Sequence, residues 1–299
     1  MIQDVSFHSG FVTIVGLPNV GKSSLMNAMI GEKIAIVSSK PQTTRTRILG
    51  IETRGDDQFV FLDTPGIFHS RNSLGDYLVK TANSSMQDAD AVILMADAGF
   101  LPGDTEERVI SYLKQSGTPS LLALNKVDLY RREQIAETIS AYAEKHDFQA
   151  VVPISAKSGK HVDELMDECG QFLHEDDWIF GEDMITDQTQ RQLAAEIIRE
   201  KILRTVDREV PHGTAVVIEE YTEEEDMVRI RAEIFCEKDS HKGILVGKGG
   251  ETLKRIGSYA RADLEKMLGT KVYLNLWVKV KQNWRDTLRG ITDLGFREL

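Results

Sequence analysis

A glycine-rich stretch near the start of the chain has the residue types and the spacing that hold phosphate groups. GLPNVGKS, residues 16–23, fits the pattern G-x4-G-K-S and lies between an apolar run and a helical pattern. Gly16 and Gly21 permit a tight loop whose amide hydrogens point at anionic oxygens, and the following helix adds the positive end of its dipole. Lys22 is expected to reach the β- and γ-phosphates of a nucleotide, and Ser23 to offer its hydroxyl to Mg2+. The predicted phosphate contacts are Gly16, Pro18, Asn19, Val20, Gly21, Lys22, Ser23 and Ser24.

Two further motifs predict which base the nucleotide carries. NKVD, residues 125–128, follows the apolar run SLLAL. A carboxylate at Asp128 can accept from both the ring N–H and the exocyclic amine of guanine, whereas adenine has no such donor pair. Lys126 is expected to cover the base with its alkyl stem, and SAK, residues 155–157, to offer an amide to the guanine oxygen. The predicted base contacts are Asn125, Lys126, Asp128, Ser155, Ala156 and Lys157.

DTPG, residues 63–66, and the loop of residues 33–47 are predicted to complete the site. Asp63 is expected to hold Mg2+ through water, and the Gly66 amide to contact the γ-phosphate. The loop has no clear periodicity, as expected of a segment that orders only with triphosphate. Thr44 is our candidate for a ligand from this loop, with Thr43 or no threonine at all as the alternatives. The predicted metal ligands are Ser23, Thr44 and Asp63, and the predicted catalytic residues are Lys22, Thr44 and Gly66.

A second glycine–lysine stretch, residues 243–257, requires a different interpretation. Only three residues separate Gly243 from Gly247, and Lys248 is followed by glycine, so no hydroxyl is placed for Mg2+. GKGG, residues 247–250, instead fits a GxxG loop, whose backbone clamps a few nucleotides of single-stranded RNA in KH domains. A glycine-rich turn in an unrelated α+β domain is the alternative. The predicted RNA contacts are Lys242, Ile244, Leu245, Gly247, Lys248, Gly249, Gly250, Lys254 and Arg255, with Ile244 and Leu245 forming the groove for the bases.

The elements around these motifs predict two domains. In residues 1–175, short apolar runs alternate with helical patterns, which indicates an α/β fold with a mostly parallel sheet and helices on both faces. Ligands of such sheets bind at the carboxyl ends of the strands, where the motifs lie. Acidic and turn residues cluster at 176–186, which we interpret as a linker. Residues 187–299 predict a smaller α+β domain in the order helix, strand, strand, loop, helix, strand, helix.

The motifs G-x4-GKS, PxTTR, DTPG, NKVD and SAK, in this order over about residues 10–173, resemble those of the TRAFAC-class, translation-factor-like GTPases. The resemblance implies a P-loop G domain that hydrolyses GTP to GDP with Mg2+. Where Ras-like members place a water-orienting glutamine, this chain has Ile67, followed by Phe68, so we expect slow unaided hydrolysis. Asn19 resembles an asparagine that coordinates K+ in some GTPases with this substitution, and a loop-stabilising role is the alternative.

A G domain followed by a type II KH domain resembles the Era GTPases over essentially the whole chain. The stretches KPQTTR and VGKGGETLKRIG are the most particular to that family. The resemblance implies a cytoplasmic protein that binds 16S ribosomal RNA near its 3′ end. It also implies action on the small ribosomal subunit during maturation and a peripheral contact with the inner membrane. We also expect a monomer, although the sequence leaves the oligomeric state open.

Composition supports a globular protein with one basic region. The net charge of −11 argues against nucleic-acid binding by the whole surface, but residues 238–289 hold 12 Lys and Arg against 5 Asp and Glu. No apolar run approaches the ~18–20 residues of a membrane span, and the N-terminus has no signal-peptide pattern. Cys169 and Cys236 are interpreted as buried thiols of a reducing compartment.

The leading hypothesis is therefore a GTP-dependent switch in which the nucleotide controls an RNA-binding domain. A KH module in which the nucleotide is mainly structural is the alternative. A metabolic or RNA-modifying enzyme is a third possibility, but the sequence has no metal-binding cluster or catalytic Cys–His pattern to support it.

Overall fold

A computed structural model describes residues 6–38, 40, 43–67 and 73–296 of the chain. These residues divide into two compact units, one of residues 6–67 with 78–187 and the other of residues 73–77 with 188–296. The strands of the first unit are β1 (His8–Gly16), β2 (Ile48–Arg54), β3 (Asp57–Asp63), β4 (Ala91–Asp97), β5 (Ser120–Asn125), β6 (Ala150–Pro153) and β7 (His174–Glu175). The helices up to residue 170 are α1 (Lys22–Ile30), α2 (Ser73–Gln87), α3 (Asp104–Ser116), α4 (Arg132–Ala143) and α5 (Val162–Gly170).

The sheet of the first unit confirms the predicted α/β class. Its strand order is β2-β3-β1-β4-β5-β6, and β7 pairs with β1. Strands β1, β3, β4, β5 and β6 run parallel, and β2 runs antiparallel to β3. One face packs apolar side chains such as Ile14 and Phe61 against Leu25 of α1, and the other packs Leu94 against Val109 of α3. The parallel strands bring their carboxyl ends to one edge of the sheet, which positions the loops that carry the motifs.

Residues 176–187 belong to the first unit, where they cover the edge of its sheet. The Ile51 amide donates to the Ile185 carbonyl at 2.9 Å, and the Thr186 hydroxyl donates to the Leu49 carbonyl at 2.7 Å. Buried Gln58 exchanges hydrogen bonds with the backbone of Phe180, each at 2.9 Å. The segment that the sequence indicates as a linker is therefore fixed to β2 and β3, because an edge strand leaves backbone groups that need partners.

The second unit has three strands and four helices among its described residues. These are α6 (Gln190–Thr205), β8 (Ala215–Glu223), β9 (Met227–Cys236), α7 (Asp239–Val246), α8 (Glu251–Leu268), β10 (Lys271–Val280) and α9 (Leu288–Asp293). The strand order is β10-β9-β8, with β10 parallel and β8 antiparallel to β9. Ile198 of α6 and Leu264 of α8 share a core with Ile230 and Ile234 of β9. This arrangement confirms the predicted type II KH fold.

Two local features of the second unit differ from the sequence prediction. Residues 239–246 form helix α7, whereas the sequence analysis assigns them to a loop, because the glycine at 243 masks a helix of only eight residues. The predicted C-terminal helix is split into a 3-10 turn at Trp284–Asp286 and the short α9. Trp284 is buried, and its indole donates to the Gly213 carbonyl at 3.1 Å, which fixes this region to the unit's own core.

Candidate nucleotide and RNA-binding sites

The phosphate loop joins the end of β1 to the start of α1, as its pattern predicts. Gly16 and Gly21 have φ angles of 149° and 108°. A Cβ at Gly16 would collide with the Met95 carbonyl oxygen, and one at Gly21 would collide with the Asn125 side chain. Glycine is therefore required at both positions by conformation and by space. A pocket at this loop is lined by Pro18, Asn19, Gly21, Lys22, Ser23, Ser24, Ile36, Val37, Ser38, Thr43, Thr44 and Gly66.

Lys22 is held inside the loop with its ammonium group close to where a phosphate would bind. Its Nζ donates to the carbonyls of Gly16 at 3.1 Å and Leu17 at 2.9 Å. Burial lowers the pKa of Lys22 to about 8, although the nearby Asp63 carboxylate acts in the opposite direction. A polyanionic ligand would restore the charged form, because opposite charges stabilise each other strongly where water is excluded.

Three oxygen-bearing side chains predicted as metal ligands meet in the structure. The Ser23 hydroxyl lies 2.8 Å from the Thr44 hydroxyl and 2.8 Å from Asp63 Oδ2, and the Thr44 hydroxyl lies 3.1 Å from the same oxygen. Asp63 is fully buried, and its Oδ1 has no hydrogen-bond partner. Burial raises the pKa of Asp63 despite the opposing effect of Lys22. A set of hard oxygen donors with one unsatisfied carboxylate oxygen fits Mg2+, which would supply the charge that keeps this carboxylate ionised.

The loop before β2 distinguishes between the two threonine candidates. Thr44 is buried beside Ser23 and Asp63, whereas the Thr43 hydroxyl donates to the Lys40 carbonyl at 2.6 Å. The arrangement therefore favours Thr44 as the ligand from this loop.

The DTPG turn lies directly against the phosphate loop. A Cβ at Gly66 would come within 2.8 Å of the Pro18 nitrogen, so the two backbones approach too closely for a side chain there. The Ile67 amide donates to the Gly16 carbonyl at 3.1 Å, and its side chain is buried in the core. Ile67 therefore offers no polar group to an attacking water. Phe68 lies outside the described residues, as do Pro41 and Gln42 of the KPQTTR motif.

Asn125 connects the loops that would surround the nucleotide. Its Nδ2 donates to the Val20 carbonyl at 2.7 Å, and its Oδ1 accepts from the Ala156 amide at 2.9 Å. In this structure the Ala156 amide thus donates to the buried Asn125 amide oxygen, and its predicted contact with the guanine oxygen, which stays a prediction, would require the amide to share or change its partner. Asn125 thus fixes the phosphate loop at Val20 relative to the loop that carries Ala156.

Asp128 has the exposure and the charge that guanine recognition requires. Its carboxylate accepts a hydrogen bond from the Ser155 hydroxyl at 2.6 Å, and the side chain is open to solvent. That hydrogen bond is the main cause of a lowered pKa of Asp128, and the exposed Lys157 adds to the effect. The carboxylate is therefore ionised at neutral pH and ready to accept two donors.

Asp97 is a site residue that the sequence analysis does not identify. Its Oδ2 lies 2.7 Å from the Lys126 ammonium, and its Oδ1 accepts from the Gly99 amide at 3.1 Å. Lys126 has a φ of 68°, so its backbone is in a conformation that lysine rarely adopts. Burial, followed by the hydrogen bond to Asp97, raises the pKa of Tyr130. The signal in the sequence is that Asp97 follows an apolar run, as Asn125 does, and the pairing of β4 with β5 places the two residues side by side.

The GxxG loop of the second unit is exposed and conformationally suited to a close backbone approach. Gly247, Gly249 and Gly250 have φ angles of 74°, 60° and 83°. A Cβ at Gly247 would collide with the Thr252 side chain. The amides of Gly247 and Gly250 donate to the carbonyls of Gly243 and Gly247, so the amides of the exposed Lys248 and Gly249 are the ones placed to meet a phosphate next to the start of α8.

The residues predicted beside this loop fall into two groups. Exposed side chains are found at Lys242, Ile244, Lys248, Lys254 and Arg255. Leu245 is completely buried in the core of the unit, so its prediction as a groove residue is wrong. The reason is the helical geometry of α7, which turns successive side chains about 100° apart, so that Ile244 and Leu245 face different directions.

These two sites define the class of protein. A phosphate loop with a magnesium-type oxygen cluster and an acidic guanine-recognition motif belongs to P-loop GTPases, and the second unit is a KH domain. A family model described as 50S ribosome-binding GTPase matches residues 11–126, and a KH domain model matches residues 209–285.

Known proteins resemble the chain over nearly its whole length. GTPase Era of Alkaliphilus metalliredigens (strain QYMF) is 47% identical over 294 residues, which cover 98% of this chain and all of the relative. GTPase Era of Ruminiclostridium cellulolyticum is 44% identical, with 98% of this chain and 99% of the relative covered. A crystal structure of Era in complex with MgGDPNP and nucleotides 1506–1542 of 16S ribosomal RNA has a TM-score of 0.94 at 38% identity, covering 98% of this chain and 100% of that one. A variant of Aquifex aeolicus Era bound to GDP·AlF4− gives the same values.

The chain belongs to the GTPase Era family, as the sequence analysis predicts. It is a GTPase with a nucleotide site in its first unit and a KH domain in its second.

Proposed function

We propose that this chain is a GTP-driven switch that binds 16S ribosomal RNA near its 3′ end through the GxxG loop. The observation that carries the proposal is the exposed loop Gly247–Gly250 in a KH domain, in a chain whose relative with a TM-score of 0.94 holds nucleotides 1506–1542 of that RNA. Lys248 within the loop and Lys254 and Arg255 on the following helix α8 supply charge for phosphates.

RNA binding is tested with an RNA of nucleotides 1506–1542 and a variant of the loop. Lys248→Asp combined with Gly249→Asp places two carboxylates where the phosphodiester must approach, and is expected to weaken binding at least tenfold. The slope of log affinity against log salt concentration should become shallower, because fewer counterions are released. Lys114→Asp combined with Gln115→Asp, an equal change of charge at exposed positions of α3, is the matched control and should have little effect. Equal weakening by both variants would mean that only the overall charge matters.

The chain's own residues account for how GTP would be held and hydrolysed. Lys22 and the loop amides bind the phosphates, Asp128 orients the guanine, and the Gly66 amide contacts the γ-phosphate. Mg2+, when bound by Ser23, Thr44 and Asp63, neutralises charge that develops on the transferred phosphoryl group. Because Ile67 cannot hold a water, hydrolysis without an activator is slow.

The switch itself is tested by comparing two nucleotide states. RNA affinity should differ between protein loaded with a nonhydrolysable GTP analogue and protein loaded with GDP. Equal affinities would favour a KH module with a mainly structural nucleotide. Ribosome maturation that is fully supported by Asp63→Asn would favour the same alternative.

We also propose the small ribosomal subunit as the site of action, since 16S RNA is the RNA of that subunit. The matching family model is described as 50S ribosome-binding, which makes the large subunit the second candidate. Co-sedimentation of the GTP-analogue-bound protein with separated subunits decides between them. Association with the large subunit alone would refute the first choice.

Four further properties are proposed. Asn19, exposed in the phosphate loop at a φ of 66°, is proposed to coordinate K+, and replacing K+ by Na+ should then lower the hydrolysis rate. We propose a monomer, which light scattering of the purified chain would test, and a location in the cytoplasm, which fractionation of cells would test. A reversible contact with the inner membrane would use the basic surface of residues 238–289. No helix in the described ranges combines the length and apolar character of a membrane span.

A further inference from the structure

The sheet of the KH domain has an open face with large exposed aromatic rings. Along β9, Ile230 and Ile234 point into the core with α6 and α8, so the alternate residues point away from the helices. On this outer face Tyr273 pairs with Arg229, and Trp277 pairs with Glu233 in the register of β10 and β9. We call this surface the outer face; its residues on β9 and β10 are Met227, Arg229, Arg231, Glu233, Phe235, Lys271, Tyr273, Asn275, Trp277 and Lys279.

The two rings of the outer face are unusually accessible. Tyr273 is 52% exposed and Trp277 is 58% exposed, whereas Trp284 is 1% exposed. Tryptophan is normally well buried, and wide exposure of aromatic surface marks binding sites. The rings stand four residues apart on one strand, about 13 Å along its axis, so each is free to stack on a separate planar group.

Cations surround these rings. The Arg229 guanidinium lies 5.0 Å from the centroid of the Tyr273 ring. Arg229 pairs with Glu224 at 2.6 Å, Arg231 approaches Glu220 at 3.8 Å, and Lys279 pairs with Glu233. The ion pairs of Arg229 and Arg231 are exposed and contribute little, so a polyanion can compete with Glu224 and Glu220 for these two cations. Glu233 is only 14% exposed, so its pair with Lys279 is held more firmly. Exposed aromatic rings interleaved with cations form the kind of surface on which single-stranded nucleic acid stacks.

Strand β10 connects the outer face with the GxxG loop. It is the edge strand of the sheet, and both α7 and α8, which flank the loop, pack on its inner side. Leu276 of β10 lies against α8, since a Cβ at Gly257 would come within 3.4 Å of its side chain. Because β10 ends the sheet on this side, an RNA that leaves the loop would pass around this strand to reach the outer face. The loop clamps about four nucleotides, far fewer than the stretch 1506–1542 of the proposed RNA ligand.

We propose that the outer face is a second RNA-binding surface, on which Tyr273 and Trp277 stack bases of the single strand that continues from the GxxG loop. The inference rests on the proposed RNA-binding function and extends it to a part of the domain that the GxxG pattern does not predict. The face is selective for unpaired RNA, because only unpaired bases present both of their planar surfaces to a ring.

Affinity measurements on the full chain test this surface. Two probes are compared: an RNA of nucleotides 1506–1542 and a set of RNAs of about six nucleotides from the same stretch, which are long enough for the loop alone. Trp277→Ala should weaken binding of the long RNA about 5- to 100-fold and change binding of the short RNAs less than about twofold. Trp277→Phe should retain most of the affinity. Leu288→Ala removes another exposed apolar side chain of the same unit and is the control that should leave both affinities unchanged.

A second measurement needs no change at the outer face. In a Trp178→Phe protein the remaining tryptophans are the exposed Trp277 and the buried Trp284, so RNA-induced quenching of fluorescence reports mainly on Trp277. The long RNA should quench the fluorescence, and the short RNAs should not. This readout remains decisive even where Trp277→Ala fails to fold.

The outcomes separate the two proposals. An unchanged affinity of Trp277→Ala for the long RNA, or the absence of quenching, overturns the outer-face proposal and leaves this surface to a protein partner. An equal loss for long and short RNAs also overturns it, because the tryptophan would then only support the fold. If the unmodified chain binds neither RNA, the proposed function and this inference both fail. If the loop variant Lys248→Asp/Gly249→Asp still loses binding while Trp277→Ala does not, only the inference fails.

Discussion

Replacing Asp97 by asparagine tests whether the base site is held by a group that never needs to contact the nucleotide. Asp97 Oδ2 lies 2.7 Å from the Lys126 ammonium, and Lys126 is the residue expected to cover the guanine with its alkyl stem. Asparagine keeps the size of the side chain and an oxygen for the Gly99 amide, but removes the charge that fixes the ammonium. The backbone of Lys126 would keep its left-handed conformation, while its side chain would gain freedom.

The size of the effect follows from the exposure of the pair. A hydrogen bond between charged groups contributes ~1.5–3 kcal/mol, and a fully exposed ion pair contributes ~0–1 kcal/mol. The Asp97 side chain is 11% exposed and that of Lys126 is 34% exposed, which places this pair between the two limits. We expect a loss of about 1 kcal/mol in GTP binding, which corresponds to about a fivefold weaker Kd.

Calorimetric titration with GTP and with inorganic tripolyphosphate is the assay. Lys126 is expected to contact the base and not the phosphates. Binding of GTP should therefore weaken in Asp97→Asn, whereas binding of tripolyphosphate should not change. Asp104→Asn, a change of the same chemistry at an exposed position of α3, should affect neither ligand. The reasoning is refuted by an unchanged Kd for GTP, or by an equal loss of tripolyphosphate binding, which would indicate general damage to the site.

Three further predictions concern the buried groups of the nucleotide site. Asn125→Ala leaves the Val20 carbonyl and the Ala156 amide without their partner and should lower the free energy of unfolding by about 2–4 kcal/mol, which urea titration would measure; a loss under about 0.5 kcal/mol would contradict it. Because the pKa of Lys22 is lowered to about 8, the nucleotide-free protein should gain stability as pH rises through 8 toward the ordinary lysine value of 10.5. GTP binding needs the charged ammonium of Lys22. The affinity for GTP should therefore be flat from about pH 6 to 7.5 and fall above pH 8 by up to tenfold per pH unit. A Lys22→Arg protein that shows the same fall would exclude Lys22 as its cause. Asp63→Asn should abolish the Mg2+ dependence of GTP binding. It should also raise the thermal midpoint of the nucleotide-free protein, because it removes a buried carboxylate. An intact Mg2+ dependence would exclude this residue from the metal site.

The nucleotide site was largely predictable because its residues lie on loops whose positions follow from the sheet. Gly16, Asp63 and Asn125 each end a parallel strand, so recognising the strands was enough to bring them together. The meeting of Thr44 with Ser23 and Asp63 also follows the predicted metal chemistry. The remaining assignments of individual contacts to a bound nucleotide or RNA stay predictions.

What the sequence could not reveal depends on competition between neighbouring groups. The Ala156 amide has two plausible acceptors, and only the position of Asn125 shows which one it takes here. Leu245 and Ile244 are adjacent and equally apolar, so the buried one cannot be chosen before α7 is recognised as a helix. Asp97 belongs to none of the motifs, because it contacts Lys126 and not the expected position of the nucleotide.

The segment of residues 176–187 has a practical consequence for anyone who separates the two domains. A fragment that stops at residue 175 lacks the residues that cover β2, so amide and carbonyl groups of this edge strand lose their partners. Strands of other molecules can then pair with β2, which leads to aggregation. A fragment that stops at residue 187 keeps the contacts of Ile185 and Thr186 and should remain soluble at concentrations where the shorter one precipitates. The segment that the sequence indicates as a linker is thus part of the G domain, where it covers the edge of the sheet.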